Sequence, residues 1–135
     1  MKISVIDGQG GKIGALIVEK IKSTYPTFEV TAVGTNTIAT SAMLKAGADK
    51  GATGENPVVV TCQTADVIIG PIGILCADAL LGEITEKMAV SIGRSHAKKI
   101  LIPFGKCNVN VAGADCLTAA EYVEKAVAVL EDICR

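Results

Sequence analysis

The stretch of this chain best suited to chemistry is Asp7-Gly8-Gln9-Gly10-Gly11-Lys12-Ile13-Gly14, set directly after one apolar run and directly before a helical apolar periodicity. Glycines at such a junction let a bound group approach the backbone, and a helix start adds unpaired N–H donors and the positive end of the helix dipole. Together these attract an anion, above all a phosphate. Gly8 allows the sharp turn, Gly11 leaves no side chain where a diphosphate presses on the backbone, and Gly14 lets the helix pack close to the strand. Two registers fit: G-x-x-G-x-x-G through Gly8, Gly11 and Gly14, and G-x-G-x-x-x-G through Gly8, Gly10 and Gly14. Asp7 either orients a ribose hydroxyl, binds a metal or bonds its own turn. Lys12 either faces the phosphate or is simply solvated.

Other reactive residue types are scattered. Cys107, in Gly105-Lys106-Cys107-Asn108, follows a strand and is the cysteine placed to act as a nucleophile, with Lys106 beside it to lower its pKa; the alternative is an inert thiol. Glu55, with Thr53 and Asn56, brings a carboxylate to a helix start, or the group serves capping alone. His96 is a candidate base at the end of a helix, or a cation that suits the helix dipole beside Lys98 and Lys99. Five cysteines, with no C-x-x-C pair and a single histidine, leave no structural zinc pattern and point to a reduced, cytoplasmic protein.

The elements that must position these residues alternate. A strand over 2–6 leads through the glycine turn into a helix with Ile13, Ile17 and Ile21 on one face, closed by Pro26. A second strand over 28–33 ends at Gly34, after which Thr35 or Asn36 caps a helix through Ala39, Met43 and Leu44 to Gly47. A short third strand falls within 48–53. Residues 57–63 favour a strand by propensity, but the parallel strand over 66–69 needs a crossover before it, so a helix is expected there, with Asn56 as cap and Pro57 first. Gly70-Pro71-Ile72-Gly73 ends the fourth strand and lets a backbone approach a ribose or nicotinamide, or merely terminates the strand. An apolar connection over 74–82 follows. A helix from Thr85 turns Met88, Ala89 and Ile92 inward, and a fifth strand covers 99–103. The last helix opens on the capping box Thr118 to Glu121, with Val123, Val127, Leu130 and Cys134 on one face.

Alternating β and α over 135 residues predicts a single α/β domain, 1–135: a Rossmann-like, doubly wound, mostly parallel sheet with helices on both faces, three layers α/β/α. Half the residues are hydrophobic, with two Phe, two Tyr and no Trp, which suits aliphatic strands buried on both sides. In such a sheet the ligand lies outside the carboxyl ends of the strands, which gathers the first turn, Thr35 and Asn36, and Gly70 to Gly73 into one site. A net charge of −1 without a basic run speaks against nucleic acid as a partner. The apolar run over 68–81 is cut by Gly70, Pro71, Gly73 and Asp78, short of the roughly 20 residues that span a bilayer, and no signal-peptide pattern opens the chain.

The first turn resembles the nucleotide-binding turn of the extended short-chain dehydrogenases and sugar-nucleotide epimerases. That resemblance covers the first β-α unit only. Gly34-Thr35-Asn36 stands where those families end the second strand with Asp or a basic residue, and Tyr122 and Lys125 lack the Tyr-x-x-x-Lys spacing, so the chain is not read as a short-chain dehydrogenase. Over most of its length, through VIDGQGGKIG, GTNTIATSAMLKAGA, ATGEN, DVIIGPIG and KKILIP, the sequence is similar to a small bacterial family known as a domain of unknown function with a Rossmann-like fold. The resemblance implies that fold and a stand-alone cytoplasmic protein, with no particular activity.

The leading expectation is a protein that binds a small-molecule nucleotide, an NAD or NADP type of dinucleotide, across the first turn and the turn after the fourth strand. One alternative is a small oxidoreductase or transferase whose site is completed at a subunit interface, with Cys107 or Glu55 supplying chemistry. Another is a non-catalytic assembly module, since the apolar stretch 72–81 suits a homo-oligomer contact, a dimer first.

Overall fold

Five strands and five helices alternate along the chain in the computed structural model, which describes residues 1–104 and 108–135. The strands are β1 (Lys2–Asp7), β2 (Glu29–Gly34), β3 (Lys50–Thr53), β4 (Val67–Pro71) and β5 (Lys98–Ile102). The helices are α1 (Lys12–Thr24), α2 (Thr37–Lys45), α3 (Glu55–Thr64), α4 (Glu86–Arg94) and α5 (Ala119–Cys134), with a 3-10 turn at Ile72–Leu75. Every pairing is parallel, in the order β3-β2-β1-β4-β5.

Alternation along the strands builds two cores. Ile3 and Val5 of β1 point to one face, where Ile17 and Ile21 of α1, Met43 of α2 and Leu130 of α5 meet them. Ile6 and Ile68 point to the other, against Val58 of α3 and Met88 and Ile92 of α4. Each fully buried aliphatic side chain contributes about 1.5–3 kcal/mol relative to exposure. Central strands must be apolar on both sides, and all five residues of β4 are buried, whereas edge strand β3 is largely exposed. The result is a doubly wound, three-layer Rossmann-like α/β fold. No described helix is long and apolar enough to cross a membrane.

Residues 57–63 are helical, as the crossover between parallel β3 and β4 demands, although three consecutive valines favour a strand. The helix begins earlier than Asn56-Pro57 suggests. Gly54, at φ 111°, is its cap and Glu55 its first residue, so Pro57 occupies the third position, where its missing N–H is not needed. The stretch 72–81 folds back on the domain: Ile74 is buried, Leu75, Ala79 and Leu80 pack on the second core, and Leu81, 96% exposed, is its exposed large side chain. On α5, Val123, Val127 and Leu130 face inward as expected. Cys134 does not; it lies exposed near Met1.

Candidate functional site

β1 and β4 run side by side from Ile3↔Val67 to Val5↔Ile69 and then part. Ile6 and Asp7 stay with β2, opposite Val33 and Gly34, while Gly70 and Pro71 stay with β5, opposite Leu101 and Ile102. From this point the chain leaves β1 toward one face of the sheet and β4 toward the other, the arrangement that in open α/β sheets places the ligand crevice outside the carboxyl ends of the strands.

The turn that fills the mouth of this crevice is held by its own atoms. Gly11 donates to the Gly8 carbonyl at 2.9 Å and caps α1 at φ 70°, and Gln9 also adopts a left-handed conformation at φ 49°. Asp7 is buried, and its carboxylate accepts the Gly8 N–H at 2.8 Å and the Gly14 N–H at 2.7 Å. Burial pushes its pKa above the usual range; the Gly14 and Gly8 N–H groups pull it down without cancelling that, and the nearby charge of Glu83 adds to the rise. Asp7 thus bonds its own turn. Among the described residues no cluster of His, Cys, Asp and Glu forms a metal site.

With Gly14 satisfied by Asp7, the first-turn N–H groups of Lys12 and Ile13 donate to no acceptor among the described residues, and they follow the exposed tip Gln9-Gly10. The glycines divide by what surrounds them. A Cβ on Gly11 would lie 2.7 Å from the Ala39 Cα, so its place is fixed by the backbone of α2 rather than by room for a diphosphate. A Cβ on Gly14 would lie 2.6 Å from the Met43 sulfur and 2.9 Å from the Asp7 Cβ, which is the close helix-to-strand contact expected of it. Nothing lies within 4 Å of a Cβ on Gly10. Gly10 is the glycine that borders open space.

Thr35 and Asn36 reach the same mouth from the end of β2. Asn36 caps α2, its Oδ1 accepting the Ala39 N–H at 2.9 Å, while its Nδ2 donates to the Gln9 carbonyl at 3.0 Å. A residue that sequence reasoning missed joins them. Glu83, between the turn at Ile72–Leu75 and α4, places Oε1 where it accepts the Gln9 N–H at 3.0 Å, the Asn36 Nδ2 at 2.7 Å and the Thr35 hydroxyl. Its sequence signal is slight: a second carboxylate, five residues after Asp78, at the end of a mostly apolar connection.

Gly70, Pro71 and Gly73 form the covered wall of the crevice. All three are buried; Gly70 faces the Ile6 carbonyl, and Ala79 and Leu80 lie over Gly73. Ile72 is half-buried. Glu55 stands in the first turn of α3, near the end of β2, where the Gly54 N–H donates to the Gly34 carbonyl at 2.9 Å. Thr53 bonds Thr40 at 2.7 Å, and Asn56 is exposed. His96 is exposed and far from the crevice, beside a cavity of about 380 Å³ between α3 and α4 that Cys62, Arg94 and Ser95 also line. Cys107 lies outside the described residues.

No curated protein matches the chain. The crystal structure of a dodecameric FMN-dependent Ubix-like decarboxylase from Escherichia coli O157:H7 is similar to it, with TM-score 0.49 and 17% identity over 97% of this chain and 76% of that one. Over residues 2–135 the chain matches, and belongs to, the family described as a domain of unknown function, DUF3842.

Proposed function

We propose that this protein binds a nucleotide, an NAD(P)-type dinucleotide, with its phosphates on the first turn of α1 and the rest of the molecule along the carboxyl ends of β1 and β4. One observation carries the reading: the N–H groups of Lys12 and Ile13 lack acceptors at the point where β1 and β4 part, beside a glycine that borders open space. Two N–H groups and the dipole of a 13-residue helix offer charge-assisted bonds to a phosphate, and exposed Lys12 adds a full positive charge. Asp7 fixes the turn that presents them.

The test is thermal unfolding against NAD, NADH, NADP, NADPH, ATP, AMP and sugar nucleotides. A ligand that binds only the folded state stabilises it by RT ln(1 + [L]/Kd), about 2.7 kcal/mol at a hundredfold excess over Kd. A dinucleotide is expected to raise Tm by several degrees, and Gly10→Asp to remove the rise while leaving the unliganded Tm in place. Gly11→Asp would not serve, because its side chain meets the Ala39 backbone. No rise with any of these at millimolar concentration overturns the reading.

A further inference from the structure

A protein that binds a dinucleotide through a helix N-terminus usually holds the ribose hydroxyls with a carboxylate at the end of the second strand. Here β2 ends in Gly34, followed by Thr35 and Asn36, and no acid is present. The structure nevertheless brings a carboxylate to that place. Glu83 arrives from the connection between β4 and α4 and rests on Thr35, Asn36 and Gln9, bridging the end of β2 to the glycine turn.

We propose that Glu83 is the ribose-binding residue of the site, and that it selects a dinucleotide with a free 2′-hydroxyl over one carrying a 2′-phosphate. This rests on the nucleotide reading given above.

Four observations support it. First, one oxygen does all the holding. Oε1 takes the three donors, and Oε2 has no donor among the described residues, which leaves it to accept bonds from vicinal hydroxyls. Second, Glu83 is ionised at neutral pH: burial alone would push its pKa up, but the bonds from Thr35, Gln9 and Asn36 outweigh burial and hold it below the usual carboxylate range. Third, no Lys or Arg among the described residues pairs with Glu83, so a 2′-phosphate would meet an uncompensated negative charge. Fourth, the segment is built to hold that carboxylate. Asp78, Leu80 and Leu81 all have positive φ, from 56° to 68°. For leucine that conformation is costly and persists where the surroundings impose it. The segment is closed by Asp78 N–H to the Ile84 carbonyl at 2.7 Å and Glu83 N–H to the Leu80 carbonyl at 3.2 Å. Gly8 completes the fit, because a Cβ there would lie 2.6 Å from the Thr35 hydroxyl oxygen and 3.1 Å from Glu83 Oε1.

The experiment is calorimetric titration of the full chain with NAD and with NADP, for wild type, Glu83→Gln and Glu83→Ala, alongside circular dichroism and Tm of each variant without ligand. Glutamine keeps a carbonyl oxygen for Thr35, Asn36 and Gln9 while removing the charge. Wild type should bind NAD more tightly than NADP by about tenfold or more, the loss expected for an unpaired charged contact. Glu83→Gln should weaken NAD, strengthen NADP and so collapse the ratio, with the fold intact. Equal affinity of wild type for both, or an unchanged ratio in Glu83→Gln, overturns the ribose assignment while leaving nucleotide binding in place. Tighter binding of both ligands by Glu83→Ala also overturns it, because Glu83 would then be an internal anion that blocks the site. Absence of binding by wild type to either ligand overturns the nucleotide reading itself.

Discussion

The carboxylate of Asp7 accepts the Gly14 N–H at 2.7 Å, seven residues along the chain, and so binds the end of β1 to the first turn of α1. With the Gly8 N–H on its other oxygen, the side chain satisfies two buried donors at once. Asp7→Ala leaves both unpaired and should cost about 2–3 kcal/mol in urea unfolding. The pH dependence has a definite sign. The folded-state pKa is raised, chiefly by burial, so the contribution of Asp7 is fully present below the ordinary aspartate range and declines as pH rises through the raised value. Wild-type stability should therefore fall across that window relative to Asp7→Asn, in which the titration is gone.

Asp49 behaves in the opposite sense. It accepts the Val30 N–H at 2.8 Å and pairs with Lys22 at 3.0 Å, and these bonds hold its pKa below the usual range. Its contribution is present above the ordinary aspartate range and is lost as pH falls through the lowered value. Because the Asp49 side chain is 41% exposed, the solvent-screened effect is small, and Asp49→Asn should cost about 1 kcal/mol near neutrality and nothing in acid. Urea titrations at several pH values check both ends.

Two glycines in one turn should respond differently to the same methyl group. At Gly14 it meets Met43 and Asp7 and should cost about 1–3 kcal/mol through overpacking. At Gly10 it meets nothing, and Gly10→Ala should leave Tm within a degree or so, since exposed changes of this kind stay within about 0.5 kcal/mol. Thermal melts of the two variants decide the matter.

The cysteines should separate by reactivity. Burial pushes the Cys62 thiol up to about 11, whereas Cys116 and Cys134 are exposed. Alkylation of the native protein near pH 8, mapped by peptide mass, should label Cys116 and Cys134 and spare Cys62 until the chain is denatured. Labelling of Cys62 at the same rate as the other two would contradict its burial.

What was legible in the sequence was local or periodic. The Thr118–Glu121 capping box and the apolar face of α5 are written within a few residues of one another, and the structure shows both. The helix at Glu55–Thr64 was legible only by way of topology, because three valines argue for a strand and the parallel neighbour overrules them. Within the candidate site, the glycine turn was legible and the reason for Gly11 was not, since the backbone it must avoid belongs to Ala39 on another helix. Glu83 was out of reach for the same reason: it meets Gln9 across 74 positions of sequence, and no local pattern encodes such a contact.

The parting of β1 and β4 also bears on how the chain is made. β1 is made before the other four described strands yet lies in the middle of the sheet, and its second neighbour, Val67 to Ile69, is synthesised about sixty residues later. At about 5–20 residues per second, a nascent chain carries one unpaired edge of β1 for several seconds. An apolar edge of that kind is open to pairing with other chains, and a chain stopped before Val67 would keep it open permanently. The strand that anchors the glycine turn is thus also the one whose protection depends on translation running past Ile69.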